Sequence, residues 1–460
     1  MTETCETSSN LVYETRTMKA EDSETSAQKA GLKLSDRNEP GISRKKVESP
    51  PDEEGGKPII SWKYVMPDGK AITEEKRVDF LNSLAVPPAW TDAWFCTDEN
   101  GHIQATGKDS NGRLQYRYHP KWNEYKAILK YQNVDEFATE LNGLRLEILA
   151  DLDTKGMNKD KAVALVIWLI DRYHIRVGSD QYAQENESYG LTTLKESHIT
   201  YRRGDRAIVE NDSRIWKREK GPLPKINAIM KFTGKSGKDW KLYIRHPEIA
   251  KLIEESGKVG GKDKEQDVFR YLDKNGNDYD IKAEHINEYL DRHMDNRYTA
   301  KDFRTWAASW KTAARLAMVS EASEEEIGVL PDLHRDAVEK SEKDGFPAFV
   351  EWRGRYLKGT EGLAKLAETG KLSGESEKDR GATMLAVIDT VAADLGNTRA
   401  VCRSSYIRPM FMDDWESGAF LERWNKAKEG AIRGNQLDPD ETAAINYMKA
   451  HEDDEFDFSN

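Results

Sequence analysis

AVALVIWLIDRYHIRVGSDQY, residues 162–182, decides how this chain is built. Val163, Val166, Ile167 and Ile170 fall at i, i+3, i+4 and i+7, the spacing of an amphipathic helix, and the pattern stops near His174. Such a stripe is the core face of a helix. Immediately beyond it, Ile175–Tyr182 turns polar and carries Arg176. Upstream, between Ile59 and about Trp122, short aromatic and β-branched runs alternate with Asp68-Gly69, Asn100-Gly101 and Asn111-Gly112, the residue pairs that hairpins require. Leu114–Tyr118 alternates with the period of a strand. Downstream, over 198–245, the period falls to two again, with turns expected at Arg203-Gly204 and Gly234-Lys235. Helical patterns resume at 284–320 and 381–395. The reading is an α+β protein: a small, mostly β N-terminal domain over 58–130, then a mainly helical domain over 131–410 containing a small antiparallel sheet.

The length, 460 residues, fits two to four units at roughly 100–200 residues per domain. Residues 1–57, rich in Glu, Ser, Thr and Lys, read as a disordered tail. Residues 321–380 read as an acidic helical insertion, in which Ser323 and Glu326 fit a capping box. Residues 411–460 read as an acidic C-terminal tail, in which a last helical stretch precedes the end HEDDEFDFSN. No internal repeat stands out. No run of about 18 apolar residues suggests a membrane span. The opening MTETCETSSN lacks the basic and apolar regions of a secretory leader. Cys5, Cys96 and Cys402 are scattered without metal-binding or disulfide spacing, which suggests a reducing, cytoplasmic setting.

The net charge of −12 looks wrong for a nucleic-acid binder, but its distribution is uneven. Residues 411–460 hold 5 Lys/Arg against 13 Asp/Glu, whereas 195–245 hold 14 against 6. A local excess of +8 is an electrostatic footprint that the total conceals, although a solvated charged face would show the same counts. Gly234-Lys235-Ser236 resembles the end of a phosphate-binding P-loop, but the glycine required five residues before Gly234 is Ile229. No HExxH, GxSxG or spaced aspartate cluster occurs. Neither ATP nor a metal centre is implied.

Four segments combine cations with a possible nucleophile: Ile175–Tyr182, Phe232–Lys238, Ala300–Trp306 and Leu395–Tyr406. Taken singly, each has an ordinary explanation. Arg176 could complement a helix C-terminus, Arg304 could form a surface ion pair, Tyr406 could be a packing aromatic, and Cys402 a small buried hydrophobe. Taken in order, together with Tyr-Gly-Leu-Thr-Thr-Leu at 189–194 and Val-Pro-Pro-Ala-Trp at 86–90, they resemble the type IB DNA topoisomerases. The resemblance is to the compact branch shared by poxviruses and bacteria, and it covers roughly 60–320 and 381–410.

That resemblance implies an enzyme that nicks one strand of double-stranded DNA, lets the duplex swivel and reseals it, without ATP, cofactor or metal, as a monomer clamping the duplex. Attack at a phosphodiester builds charge on two non-bridging oxygens, and without a metal fixed cations and donors must stabilise it. By resemblance, Arg176 and Arg304 take that role. Lys235 is the general acid for the departing 5′ oxygen, with Lys238 the rival, and Tyr406 is the nucleophile of a 3′-phosphotyrosyl link. The poxvirus enzymes have histidine nine residues before the tyrosine. Here that residue is Asn397, as in the bacterial relatives, and an amide can donate to a phosphate oxygen but cannot transfer a proton. Nine residues at about 100° each is half a turn out of phase. A cap or break is therefore expected between Asn397 and Tyr406. Gln115, Tyr116 and Tyr118 match a family strand that faces the major groove, though a cross-strand aromatic pair would look the same. Tyr182 and Lys301 match positions near the phosphates.

Two other functions remain open. A tyrosine recombinase shares the chemistry, but it usually has histidine three residues before the second arginine, where this chain has Lys301. A non-catalytic DNA-binding protein could keep the same fold.

Overall fold

In the computed structural model the stripe of Val163, Val166, Ile167 and Ile170 lies on the helix Lys159–Tyr173 and is buried. Asn158 starts that helix by accepting from the Lys161 N–H at 3.0 Å, and His174 ends it in the left-handed conformation at φ 56°. The structure describes residues 22–49, 59–203, 225–294, 298–345, 347–372, 376–431 and 436–451. Short antiparallel sheets and a mainly helical body make the chain α+β, and residues 1–132 and 133–460 form two compact units.

In the first unit, strands Thr91–Phe95, Ile103–Lys108 and Leu114–Tyr118 form a three-stranded antiparallel sheet in sequence order. Its second connection is the Asn111-Gly112 turn, where Gly112 takes φ 73° and Asp109 Oδ1 accepts from the backbone N–H groups of Asn111 and Arg113, each at 2.9 Å. A second sheet corrects the expectation of a tail over 1–57. Residues 23–29 form a helix, and strand Ser43–Ser49 pairs antiparallel with Ile59–Val65. Composition misled because the strand exposes most of its side chains and is held through its backbone. Its few anchors suffice: Ile42 is buried and exchanges two backbone hydrogen bonds with Phe95, and the Arg44 guanidinium lies 3.9 Å from the centre of the Trp62 ring. Residues 1–21 lie outside the described residues.

In the second unit one continuous apolar core joins helices 159–173, 247–257, 283–293, 300–320 and 377–395. Strands Ile199–Arg203, Ile226–Gly234 and Lys238–Ile244 form the expected antiparallel sheet, while Gly204 and much of the basic window, 204–224, lie outside the described residues. Within 321–380 the Ser323–Glu326 capping box is present, with Ser323 Oγ accepting from the Glu326 N–H at 3.2 Å and Glu326 Oε2 from the Ser323 N–H at 2.8 Å. A hairpin, Val350–Trp352 with Arg355–Leu357, was not foreseen there.

The acidic tail over 411–460 does contain the expected helical stretch, but as three helices packed into the body rather than as a tail. Helices Pro409–Ser417, Phe420–Glu429 and Pro439–Ala450 bury Phe411, Trp415, Phe420, Trp424 and Tyr447 in the core. Glu441, itself fully buried, accepts 2.8 Å from Arg145 and 3.1 Å from the Trp306 indole N–H. The net charge hid an aromatic face because charged residues on the outer sides of these helices outnumber the aromatic anchors. Residues 452–460 lie outside the described residues. Among the described residues no helix is long and apolar enough to cross a membrane.

Candidate active site

Arg176 stands three residues past the end of the Lys159–Tyr173 helix, outside any helix or strand. The 189–194 motif braces it: the Leu191 N–H donates to Arg176 O at 3.0 Å and the Thr192 N–H to Val177 O at 2.7 Å. This bracing requires glycine at two places. A Cβ on Gly190 would overlap the Gly178 backbone and come within 2.6 Å of Arg176 O, and Gly178 itself takes φ 110°.

Asn397 follows the helix Glu377–Leu395, which Gly396 closes at φ 62°. Thr398 then opens a new helix, Arg399–Ser405, by accepting from the Val401 N–H. The break expected between Asn397 and Tyr406 is the cap at Thr398, and Asn397 itself sits between that cap and Gly396. Tyr406 ends the second helix, and its carbonyl accepts 3.2 Å from Ser309 Oγ, which in turn accepts 3.0 Å from the Arg408 N–H.

Arg304 sits in the first turns of the helix Ala300–Ser320, set by the Thr299–Asp302 capping box. It is buried and donates to His174 O and, at 2.8 Å, to Leu395 O, so one guanidinium ties together the segments that carry Arg176 and Asn397. Asn397 Oδ1 accepts from Arg176 at 2.8 Å and from Arg304 at 3.4 Å. Asn397 Nδ2 and Arg304 Nε are buried without a protein partner. Arg304 Cζ lies 5.4 Å from the centre of the Tyr406 ring.

The electrostatics follow from this crowding. Burial, then the neighbouring Arg176 charge, pull the Arg304 guanidinium down to about 10. Burial alone would raise the Tyr406 phenol. The charge and hydrogen bond of Arg304, with the charges of Arg176 and Lys301, outweigh burial and hold it below its ordinary value. Cys402, buried beneath the cluster, has its thiol pushed up to about 12 by desolvation.

Four of the five expected residues, Arg176, Arg304, Asn397 and Tyr406, are therefore brought together. Lys235 and Lys238 stand exposed on the turn between strands 226–234 and 238–244, and among the described residues neither touches that cluster. Lys301 is exposed at the start of its helix. Tyr182 lies on the helix Asp180–Asn186, and its side chain is outside the described residues. Gln115, Tyr116 and Tyr118 belong to the 1–132 unit. Gln115 Nε2 donates to Asp109 Oδ2 at 2.9 Å, and the two tyrosines stack in parallel at 5.6 Å with much of their rings exposed. Sequence reasoning missed Ser309 and Trp240. Only the glycines placed directly before Lys235 and Asn397 hinted at Trp240. Among the described residues no group of three or more His, Cys, Asp and Glu is placed to hold a metal ion.

The helical unit gathers an arginine pair, an amide and a tyrosine, and a small β-rich unit precedes it in the sequence. Residues 119–417 match the model of the eukaryotic DNA topoisomerase I catalytic core, and the chain belongs to that family. Residues 61–109 also match the N-terminal domain of bacterial DNA topoisomerase IB. The chain is 28% identical over 250 residues to DNA topoisomerase 1B of Acanthamoeba polyphaga mimivirus, covering 54% of this chain and 66% of that protein. It is 23% identical over 242 residues to DNA topoisomerase 1 of Mycosarcoma maydis, covering 48% of this chain and 22% of that protein. The chain thus spans just under two thirds of the first relative's length and about a fifth of the second's.

Proposed function

We propose that this protein relaxes supercoiled double-stranded DNA by cutting and resealing one strand through Tyr406. The observation that carries the reading is the Arg176–Asn397–Arg304 cluster beside a phenol whose ionisation those cations favour. Tyr406 Oη attacks the phosphorus, the bond to the 5′ oxygen breaks, and a 3′-phosphotyrosyl link forms while the phenol proton is lost to solvent. Arg176, Arg304 and Asn397 Nδ2 donate to the non-bridging oxygens as their charge grows. Lys235 gives a proton to the departing 5′ oxygen, and religation runs these steps backwards. The tyrosyl ester conserves the energy of the broken bond, so no ATP is required.

Gln115, Tyr116 and Tyr118 supply contacts to the duplex, with Tyr182, Lys238 and Lys301 nearer the scissile phosphate. The protein works as a monomer. The test is relaxation of a supercoiled plasmid without ATP and in EDTA, followed by denaturant trapping of a DNA adduct. Relaxation that needs a pair of recognition sites would instead mark a recombinase, and DNA binding without an adduct a non-catalytic protein.

A further inference from the structure

Gly234 directly precedes Lys235, and Gly396 directly precedes Asn397. Both glycines press against the same indole. A Cβ on Gly234 would stand 2.8 Å from Trp240 Cδ1 and Nε1, at the five-membered edge of the ring. A Cβ on Gly396 would overlap Trp240 Cζ2, at the six-membered edge. Phe232, the cross-strand partner of Trp240, lies parallel to it, with ring centres 6.0 Å apart and 4° between the planes. The indole is thus held flat by its own hairpin while its nitrogen-bearing edge, from Cδ1 and Nε1 to Cζ2, meets the backbone just ahead of two candidate catalytic residues.

We propose that Trp240 is a positioning residue: its indole is the spacer that sets the Lys235 turn at a fixed distance from Asn397 and aims the lysine at the leaving 5′ oxygen. The inference rests on the reading of Lys235 as general acid. Lys235 needs such a device. Its ammonium is exposed and has no partner among the described residues. The turn beneath it is built on Ser236 at φ 64° and Gly237 at φ 69°. A long, mobile side chain on such a turn is directed only by the base of its hairpin, and that base is Gly234 against Trp240.

The test compares two DNA substrates under single-turnover conditions, one ordinary and one with sulfur as the 5′ leaving atom, which departs without a proton. Full-length Trp240→Ala is expected to cleave ordinary DNA roughly 10- to 100-fold more slowly, the scale of a misplaced catalytic group. It should bind DNA as well as the wild type and cleave the sulfur substrate at close to the wild-type rate. Trp240→Phe keeps the stack on Phe232 but not the reach to Gly396, and should fall between. Equal slowing on both substrates would overturn the proposal, because Trp240 would then support Asn397 or the fold. An unchanged rate on ordinary DNA would overturn it too. Lys235→Ala is run in parallel: if sulfur does not rescue that variant, the proton-donor assignment itself is wrong and the proposal falls with it. Thermal melting of each variant separates these outcomes from unfolding.

Discussion

Arg176 donates to Asn397 Oδ1 across 2.8 Å, and that hydrogen bond decides which way the amide faces. With its oxygen turned to the arginines, Asn397 turns its nitrogen away from them, buried and without a protein partner. A buried donor left unmatched costs about 1–3 kcal/mol, which a phosphate oxygen at that point would recover.

Asn397→Asp should separate donation from packing. The carboxylate still accepts from Arg176 and Arg304, so the melting temperature should hold or rise. Donation to the phosphate is lost and a negative charge is added, so cleavage should fall on the order of 10²–10³-fold. Asn397→His, which keeps a donor, should retain more of the rate. Single-turnover cleavage and thermal melting check both. A large fall in melting temperature for the aspartate variant would count against the assignment.

Tyr406→Phe should bind DNA and form no adduct; any residual adduct would place the nucleophile on another tyrosine. The lowered phenol has its own signature. On the sulfur substrate the cleavage rate should climb with pH as the phenol ionises, reaching half its plateau below the ordinary tyrosine value of about 10. Removing a neighbouring cation favours the protonated form, so Arg176→Ala should move that midpoint upward. A midpoint that stays put would show that Arg176 does not act on the phenol.

Asp394 accepts 2.6 Å from Arg315 and 3.0 Å from Lys311. Burial alone would raise its carboxyl, but those cations with Lys358 and His174 hold it well below the usual range. The stabilisation is therefore complete above the unfolded value of about 3.9 and is lost as pH falls below it towards the folded value. Asp394→Asn leaves the cations uncompensated and should cost about 3–5 kcal/mol at pH 7. Urea midpoints measured at neutral and strongly acidic pH should show the wild type converging on the variant as acid is added.

Gly190→Ala should damage the site without touching a candidate catalytic side chain. The added methyl overlaps Gly178 and crowds Arg176 O. Cleavage should fall about 10²-fold if Arg176 shifts by the order of 1 Å. Normal cleavage in a stably folded variant would mean that the 189–194 segment does not position Arg176.

The helix that leads to Arg176 could be read from its apolar spacing, and the cap between Asn397 and Tyr406 from a phase mismatch, because local periodicity reflects local geometry. The four clustered residues were legible only as a joint pattern, since each alone fits a commoner role. The order of residues 22–49 and the packing of 411–451 were not legible for a different reason. Their order comes from partners distant in sequence, Ile42 with Phe95 and Glu441 with Arg145, and composition averaged over a window does not register such pairings. Trp240 was missed on the same account: its role exists only once two glycines far apart in sequence meet the same edge of its ring.

The short helix Arg399–Ser405 acts as a ruler between Asn397 and Tyr406. Each residue added to or lost from it would turn the tyrosine by about 100°, off the arginines altogether. Residues 321–376 are under no such constraint. They run from the end of helix 300–320 to the start of helix 377–395, two helices that pack on each other, so their length does not enter the geometry of the cluster. Insertions and deletions accumulated over evolutionary time should therefore collect in 321–376, while the interval from 397 to 406 stays at constant length in every lineage that keeps the chemistry.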